Sequence, residues 1–138
     1  MVEKIMMGRA IIPGDAEGIA IVSRKAISFW GGISPATGEI IDRRHDCSGQ
    51  FVAGKVFVIP AGKGSSTGSA VLMESIKNGV APAAIILAKI DPILALGSIV
   101  ADELYGKSVP MILLSQEDFY SIQDGSHLVI HSNGTVER

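Results

Sequence analysis

Three short runs of almost unbroken apolar residues constrain this chain most: "KVFVIP" from Lys55, "AAIILA" from Ala83 and "VPMILL" from Val109. A strand exposed on one face alternates polar and apolar residues, whereas runs like these belong to strands covered on both faces. Helical patterns lie between them. From Thr67 to Lys77, Val71, Leu72, Ser75 and Ile76 share one helix face, and Asn78-Gly79 closes the segment as a left-handed C-cap does. In "KIDPILALGSIVADELYG", Asp91 is a natural N-cap with Pro92 at the first helical position, and the helix is expected to run to about Tyr105 and stop at Gly106. "SQEDFYSI" reads as a short helix capped by Ser115, with Asp118 at its third position.

The first 30 residues read as two or three short strands broken by the turn "PGDAEG". The stretch "WGGISPATGEIIDRRHDCSGQ" is mostly loop, with a brief strand through Ile40 and Ile41. Such a long loop in a small domain is commonly functional or faces a partner. The end, "SHLVIHSNGTVER", suits a hairpin around Asn133-Gly134. Strands, then strand–helix alternation, then strands again predict an α/β fold whose β-rich and α/β parts share one core. With 138 residues and no internal repeat or linker, residues 1–138 are expected to form a single domain.

Composition removes several function classes. Apolar residues make up 47% and mean hydropathy is +0.38, which excludes a disordered chain. Net charge is −2 and no basic cluster stands out, since Arg43 and Arg44 lie between two aspartates. A nucleic-acid partner is therefore not expected. There is no membrane-length apolar run, and the start "MVEKIMMGRAI" lacks a signal-peptide core. A cytoplasmic protein without membrane association is expected.

One stretch carries more than structure requires. "AGKGSSTGSA", Ala61 to Ala70, is a glycine-rich turn between a strand and a helix. The first amides of a helix have no internal partner, and the helix dipole favours negative charge there. Gly62, Gly64 and Gly68 let a backbone approach a ligand. The spacing fits neither a Walker A loop nor a dinucleotide fingerprint, because Thr67 stands where the third glycine would be. Two readings stay open: a helix cap, and a site for a carboxylate or phosphate of a small substrate. A serine in such a mouth can exchange a proton only where preorganised donors stabilise its alkoxide. No histidine lies in a recognisable triad context and no nucleophile elbow is present. Ser65 and Ser66 thus suit proton transfer and substrate contact better than acyl transfer.

Cys47 is the only cysteine. It permits no internal disulfide, and a cluster needing three or four thiolates cannot be held by this chain alone. A nucleophilic role with His45, two residues away, competes with the plainer reading of a small core residue. His127 and His131, four apart on a strand, would stand over ~12 Å apart, too far to share a metal. No metal site is expected in this chain.

"ISFWGGISPATGEIIDRRH", "VAGKVFVIPAGKGSSTGSAVLMESIKNGVAPAAIIL" and "KIDPILALGSIVA" closely resemble the small subunit of the aconitase X family. The resemblance runs from about Gly8 to Gly134, and its most specific marks are Trp30-Gly31-Gly32, the Gly62–Ser69 loop and Asp91-Pro92-Ile93. It implies the swivelling β/β/α domain of aconitases. It implies a heterodimer whose large subunit carries a [4Fe-4S] cluster, with the site between the two chains. It implies a hydro-lyase acting on a small hydroxy acid, (R)-5-phosphomevalonate, to give trans-anhydromevalonate 5-phosphate, with iron in the partner polarising the departing hydroxyl. The family's proton-accepting serine falls on Ser65, and Gly64, Ser66 and Thr67 on substrate contacts. Aconitases place a carboxylate-gripping arginine where this chain has Thr67. Trp30, Gly31, Gly32, His45 and Asp91 are further candidates for the site or the subunit interface, each with a plainer alternative: core tryptophan, structural histidine, helix cap. Two other functions fit the same residues, a hydroxyproline dehydratase of the same family and a noncatalytic binding domain.

Overall fold

The computed structural model describes residues 4–62 and 66–138. The elements run β1 (Ile5–Met7), β2 (Arg9–Ile12), β3 (Ala16–Val22), α1 (Phe29–Gly32), β4 (Val56–Ile59), α2 (Ser66–Lys77), β5 (Ala84–Leu87), α3 (Pro92–Tyr105), β6 (Met111–Leu113), α4 (Gln116–Ser121), β7 (His127–Ile130) and β8 (Thr135–Glu137). The strands lie side by side in the order β1-β8-β7-β3-β4-β5-β6-β2.

The three apolar runs become β4, β5 and β6, the centre of a parallel array that begins with β3. Every residue of β4 and β5 is buried, as their lack of alternation requires. Their side chains divide between two cores. Phe57 and Ile59 of β4 meet Leu72 and Ile76 of α2 and Leu94 and Ala95 of α3 on one face. Val56 and Val58 point the other way, with Phe119 of α4, Leu128 of β7 and Val136 of β8. Helices α2 and α3, the parallel strands and the antiparallel strands thus form three layers, the β/β/α arrangement, with α4 on the antiparallel side. Full burial of side chains this size contributes about 1.5–3 kcal/mol each.

β3 joins the layers. Its carboxyl half, Ala20–Val22, pairs in parallel with β4, and its amino half, Ala16–Ile19, pairs antiparallel with β7. The edges are joined as well. β1 and β2, at opposite ends of the order, are separated only by Gly8. The sheet therefore curls until its ends meet, and the Gly8 amide donates to the Gly134 carbonyl (3.0 Å). A Cβ on Gly8 would lie 2.5 Å from Ile112 Cγ2 and 2.8 Å from the Gly134 oxygen.

The helix boundaries follow the sequence signals. Asp91 accepts from the Leu94 amide (3.0 Å), and Gly106 ends α3 in the left-handed region at φ 66°. Ser115 accepts from the Asp118 amide (3.2 Å). The stretch 33–52 differs from a loop left for a partner. Ile33, Ile40, Cys47 and Val52 are buried in the chain's own helix-side core, and Asn78 Nδ2 ties the stretch to the end of α2 through the Pro35 carbonyl (2.9 Å). Its brief strand is reduced to single bridges, Ile33 with Ile40 and Glu39 with Phe51. Among the described residues, no helix is long and apolar enough to cross a membrane.

Candidate active site at the carboxyl ends of the strands

Because β3 to β6 are parallel, their carboxyl ends open on one edge, the place where open α/β sheets bind ligands. Three segments leaving that edge converge. Past β3, Ile27 forms a parallel bridge with Gly62, which continues β4. Past β5, the Ala88 and Lys89 amides both donate to the Pro60 carbonyl (3.2 and 3.1 Å). That ladder sets Asp91 against Gly62. One Asp91 oxygen, Oδ1, caps α3, and the other, Oδ2, fills the space where Gly62 would carry a Cβ. The glycine-rich loop thus departs between the segment after β3 and the segment after β5.

Gly64 and Ser65 lie outside the described residues. Ser66 opens α2, so the first amides of a twelve-residue helix face this edge. Thr67 is exposed and Gly68 is buried. Gly68 stands beside Phe29, which anchors the α1 turn. Trp30 and Gly31 depart from helical geometry in that turn, with Gly31 at φ 76°. The kink sends Trp30 outward, 61% exposed, while Phe29 and Gly32 stay buried. Trp30 is therefore not a core residue of this chain. The structure brings Trp30, Gly31, Gly32, Gly62, Thr67 and Asp91 to the segments that frame one mouth.

His45 is placed differently. It is buried, and both ring nitrogens are engaged. Nδ1 accepts from the Cys47 amide (3.1 Å), which leaves the ring proton on Nε2, facing Ser23 Oγ (2.9 Å) and the Lys25 carbonyl (3.3 Å). Asp46 Oδ1 also approaches Nδ1 at 3.3 Å, so Ser23, His45 and Asp46 have the composition of a hydrolase triad. The proton arrangement rules that chemistry out. A triad aspartate receives its hydrogen bond from the histidine, but here Nδ1 is already an acceptor. Ser23 is wholly buried, and its hydroxyl has Asp46 Oδ1 (2.7 Å) and the Lys25 carbonyl (2.8 Å) within reach of its single proton. The network instead pins the chain leaving β3, since the Asp46 carboxylate also accepts from the Arg24 amide (3.0 Å). Burial pushes the Asp46 carboxyl pKa up, yet the Arg24 amide and the Ser23 hydroxyl, which donate to the carboxylate, outweigh it and hold it below the usual carboxylate value.

Sequence reasoning missed Ser23. Its only signal was a small polar residue directly after the apolar run "IAIV", which a surface serine would also give.

Cys47 is a core thiol. Burial, with the Asp46 and Asp124 charges, pushes it up to about 11, and Sγ points at the Val22 carbonyl (3.5 Å). A thiolate is the reactive and metal-binding form, so this side chain offers neither a nucleophile nor a cluster ligand. His45, Asp46 and Cys47 do lie close enough to share a cation, but the ring nitrogen and the thiol are spent on the backbone. The residues of this chain do not fit an iron–sulfur cluster. His127 and His131 pair with separate carboxylates, Glu17 (3.1 Å) and Glu137 (2.6 Å), and make no joint site.

The group this edge offers an anion is the start of α2, whose first amides lack helical partners; the Asp91 carboxylate is spent on the α3 cap and against Gly62. Residues 5–138 match the family described as the aconitase X swivel domain. The chain is 43% identical to the phosphomevalonate dehydratase small subunit of Methanocella arvoryzae, over 94% of both chains. It is 46% identical to the cis-3-hydroxy-L-proline dehydratase of Pseudomonas aeruginosa over 81% of its own length, but spans only 19% of that relative. It superposes on the crystal structure of Thermococcus kodakaraensis aconitase X in its holo form with a TM-score of 0.87 and 40% identity, covering 97% of each chain.

Proposed function

The chain belongs to the aconitase X swivel-domain family, and on that premise we propose that it is the small subunit of a hydro-lyase that dehydrates (R)-5-phosphomevalonate to trans-anhydromevalonate 5-phosphate. The observation that carries this reading is the end-to-end match to a separate small subunit of that activity, with 94% of both chains covered. The hydroxyproline dehydratase match is as high in identity, but there the same sequence is about a fifth of a longer polypeptide.

In this reading the large subunit carries the iron–sulfur cluster, consistent with a single thiol held protonated in the core. This chain supplies the groups that hold and deprotonate the substrate. Removing the proton beside a carboxylate needs a base and a donor set for the charge that develops. Ser65 is the base. Gly64, Ser66, Thr67 and the first amides of α2 hold the anionic substrate at a helix start, where the dipole favours it. Thr67 in place of an arginine fits a substrate with fewer carboxylates than citrate. Asp91 holds the loop in place through Gly62.

The test is co-expression with the large-subunit gene, followed by assay on 5-phosphomevalonate, cis-3-hydroxy-L-proline and citrate. Water loss from 5-phosphomevalonate alone is expected. Turnover of hydroxyproline in its place would move the chain to the second dehydratase, and a complex inert on all three would favour a binding domain.

A further inference from the structure

α3 is apolar on the wrong side as well as the right one. Leu94, Ala95, Gly97, Ser98 and Ala101 face the core. On the opposite side Ile93, Leu96, Ile99 and Leu104 are 38%, 53%, 50% and 61% exposed, with Val100 half-buried between them. At 100° per residue these five span an arc of about 140°, and Glu103 is the one charged residue inside it. The neighbouring α2 shows what a finished surface helix looks like here: from Thr67 on, its exposed positions are Thr67, Ala70, Glu74 and Lys77. A helix that is apolar all round normally has a partner on both sides. Beside Ile99, a groove of about 340 Å³ lies between α3 and the end of β2, with Ile11, Ile12 and Pro13 on one wall and Ser98, Asp102, Glu103 and Ser108 completing it.

Two observations indicate what covers this face. In the hydroxyproline dehydratase relative, the matching segment is 19% of the polypeptide, so about four-fifths of that chain is covalently joined to this domain and available to cover it. In the small-subunit relative that remainder is absent from the chain, which is matched over 94% of its length. The face is also continuous with the mouth of the site. Asp91, which abuts Gly62, caps α3 two residues before Ile93 and five before Leu96. A partner that completes a site at the glycine-rich loop reaches the first turns of α3 next.

We propose that the outward face of α3, centred on Ile93, Leu96 and Val100, is where the large subunit seats. The inference rests on the two-subunit reading above and adds the surface. A stable interface takes about 800 Å² from each partner, so this stripe is its apolar centre and Trp30, exposed at the mouth, extends it.

The experiment measures the affinity of the purified large subunit for this chain as wild type, Leu96→Lys, the double variant Leu96→Lys/Val100→Lys, and Ile5→Lys. Leu96 is half exposed and Lys is nearly as good a helix former as Leu, so the Leu96→Lys chain keeps its fold, checked by circular dichroism. Ile5, 58% exposed in β1 of the other sheet layer, carries the same charge change away from α3. The expected result is a Kd raised at least about tenfold by Leu96→Lys and further by the double variant, with Ile5→Lys unchanged. Unchanged affinity in the α3 variants overturns the proposal while the two-subunit reading stands. So does a wild-type chain that self-associates through α3, loses that in Leu96→Lys and still binds the large subunit. A wild-type chain that fails to bind the large subunit removes both.

Discussion

Asp91 and Gly62 are interlocked: Asp91 Oδ2 occupies the volume a side chain at position 62 would need, while Oδ1 of the same carboxylate caps α3 through the Leu94 amide. One residue thus fixes the start of α3 and the departure of the glycine-rich loop. Gly62→Ala forces the carboxylate aside, so both are lost together. The expected outcome is a lower melting temperature and a drop in kcat of the assembled enzyme. Asp91→Asn keeps an N-cap side chain and should lose well under 1 kcal/mol, whereas Asp91→Ala should cost about 0.5–2 kcal/mol. Thermal unfolding of the three variants checks the order.

Cys47 gives a pH prediction with a definite sign. Its thiol is pushed up to about 11 by burial and by the Asp46 and Asp124 charges, above the ordinary value of about 8.5. The folded state therefore holds its proton more tightly than the unfolded state. The resulting stability is complete below about pH 8.5 and is lost as pH rises towards 11. Cys47→Ala should flatten this alkaline limb in urea midpoints measured between pH 8 and 10.5. Native Cys47 should also resist a thiol reagent at pH 8 and react once the chain is unfolded. Rapid native labelling would mean an accessible thiolate.

Much of the architecture was legible because its signals are local. Asp91-Pro92, Gly106, Ser115 with Asp118, and Asn133-Gly134 each act within a few residues, and each bounds an element where expected. The apolar runs gave strands buried on both faces for the same reason. What was not legible depends on distant residues meeting. Nothing in "IAIVS" says that Ser23 will be buried against His45, 22 positions on. Nothing near Gly62 announces Asp91. The long loop misled in part because its apolar residues are spaced irregularly, so no periodicity showed that Ile33, Ile40 and Val52 fill the chain's own core. At the glycine-rich loop, spacing left a helix cap and an anion site both open, and the proton-accepting role of Ser65 is a proposal that rests on the family likeness.

Gly8 tests the closure of the sheet. It is the single residue between β1 and β2, the two ends of the strand order. A methyl group there would meet Ile112, Leu114 and the Gly134 carbonyl, all within 3 Å. Gly8→Ala should destabilise by about 1–3 kcal/mol, the usual cost of overpacking. Gly14→Ala is the comparison, since the nearest atom to its added methyl is Cγ of the Pro110 ring, not backbone. Denaturant unfolding of both variants should show the larger loss at Gly8. Equal losses would mean that the junction is looser than its geometry.

Ser65 is where the proposed chemistry is tested. As a helix cap alone, its hydroxyl contributes about 0.5–2 kcal/mol, and turnover survives its removal below the melting temperature. As the proton acceptor, it lies on the reaction path, and a general base contributes on the order of 10²–10⁴ in rate. The Ser65→Ala complex is expected to assemble normally and to lose kcat by that factor. If Ser66 contacts the substrate as proposed, Ser66→Ala should raise KM more than it lowers kcat, because a contact made equally in ground and transition states affects binding alone. The two serines are adjacent, so a merely structural disturbance of the loop would affect both variants alike. A split between kcat at Ser65 and KM at Ser66 separates chemistry from loop geometry, and near-normal turnover in Ser65→Ala would leave the glycine-rich loop as a cap.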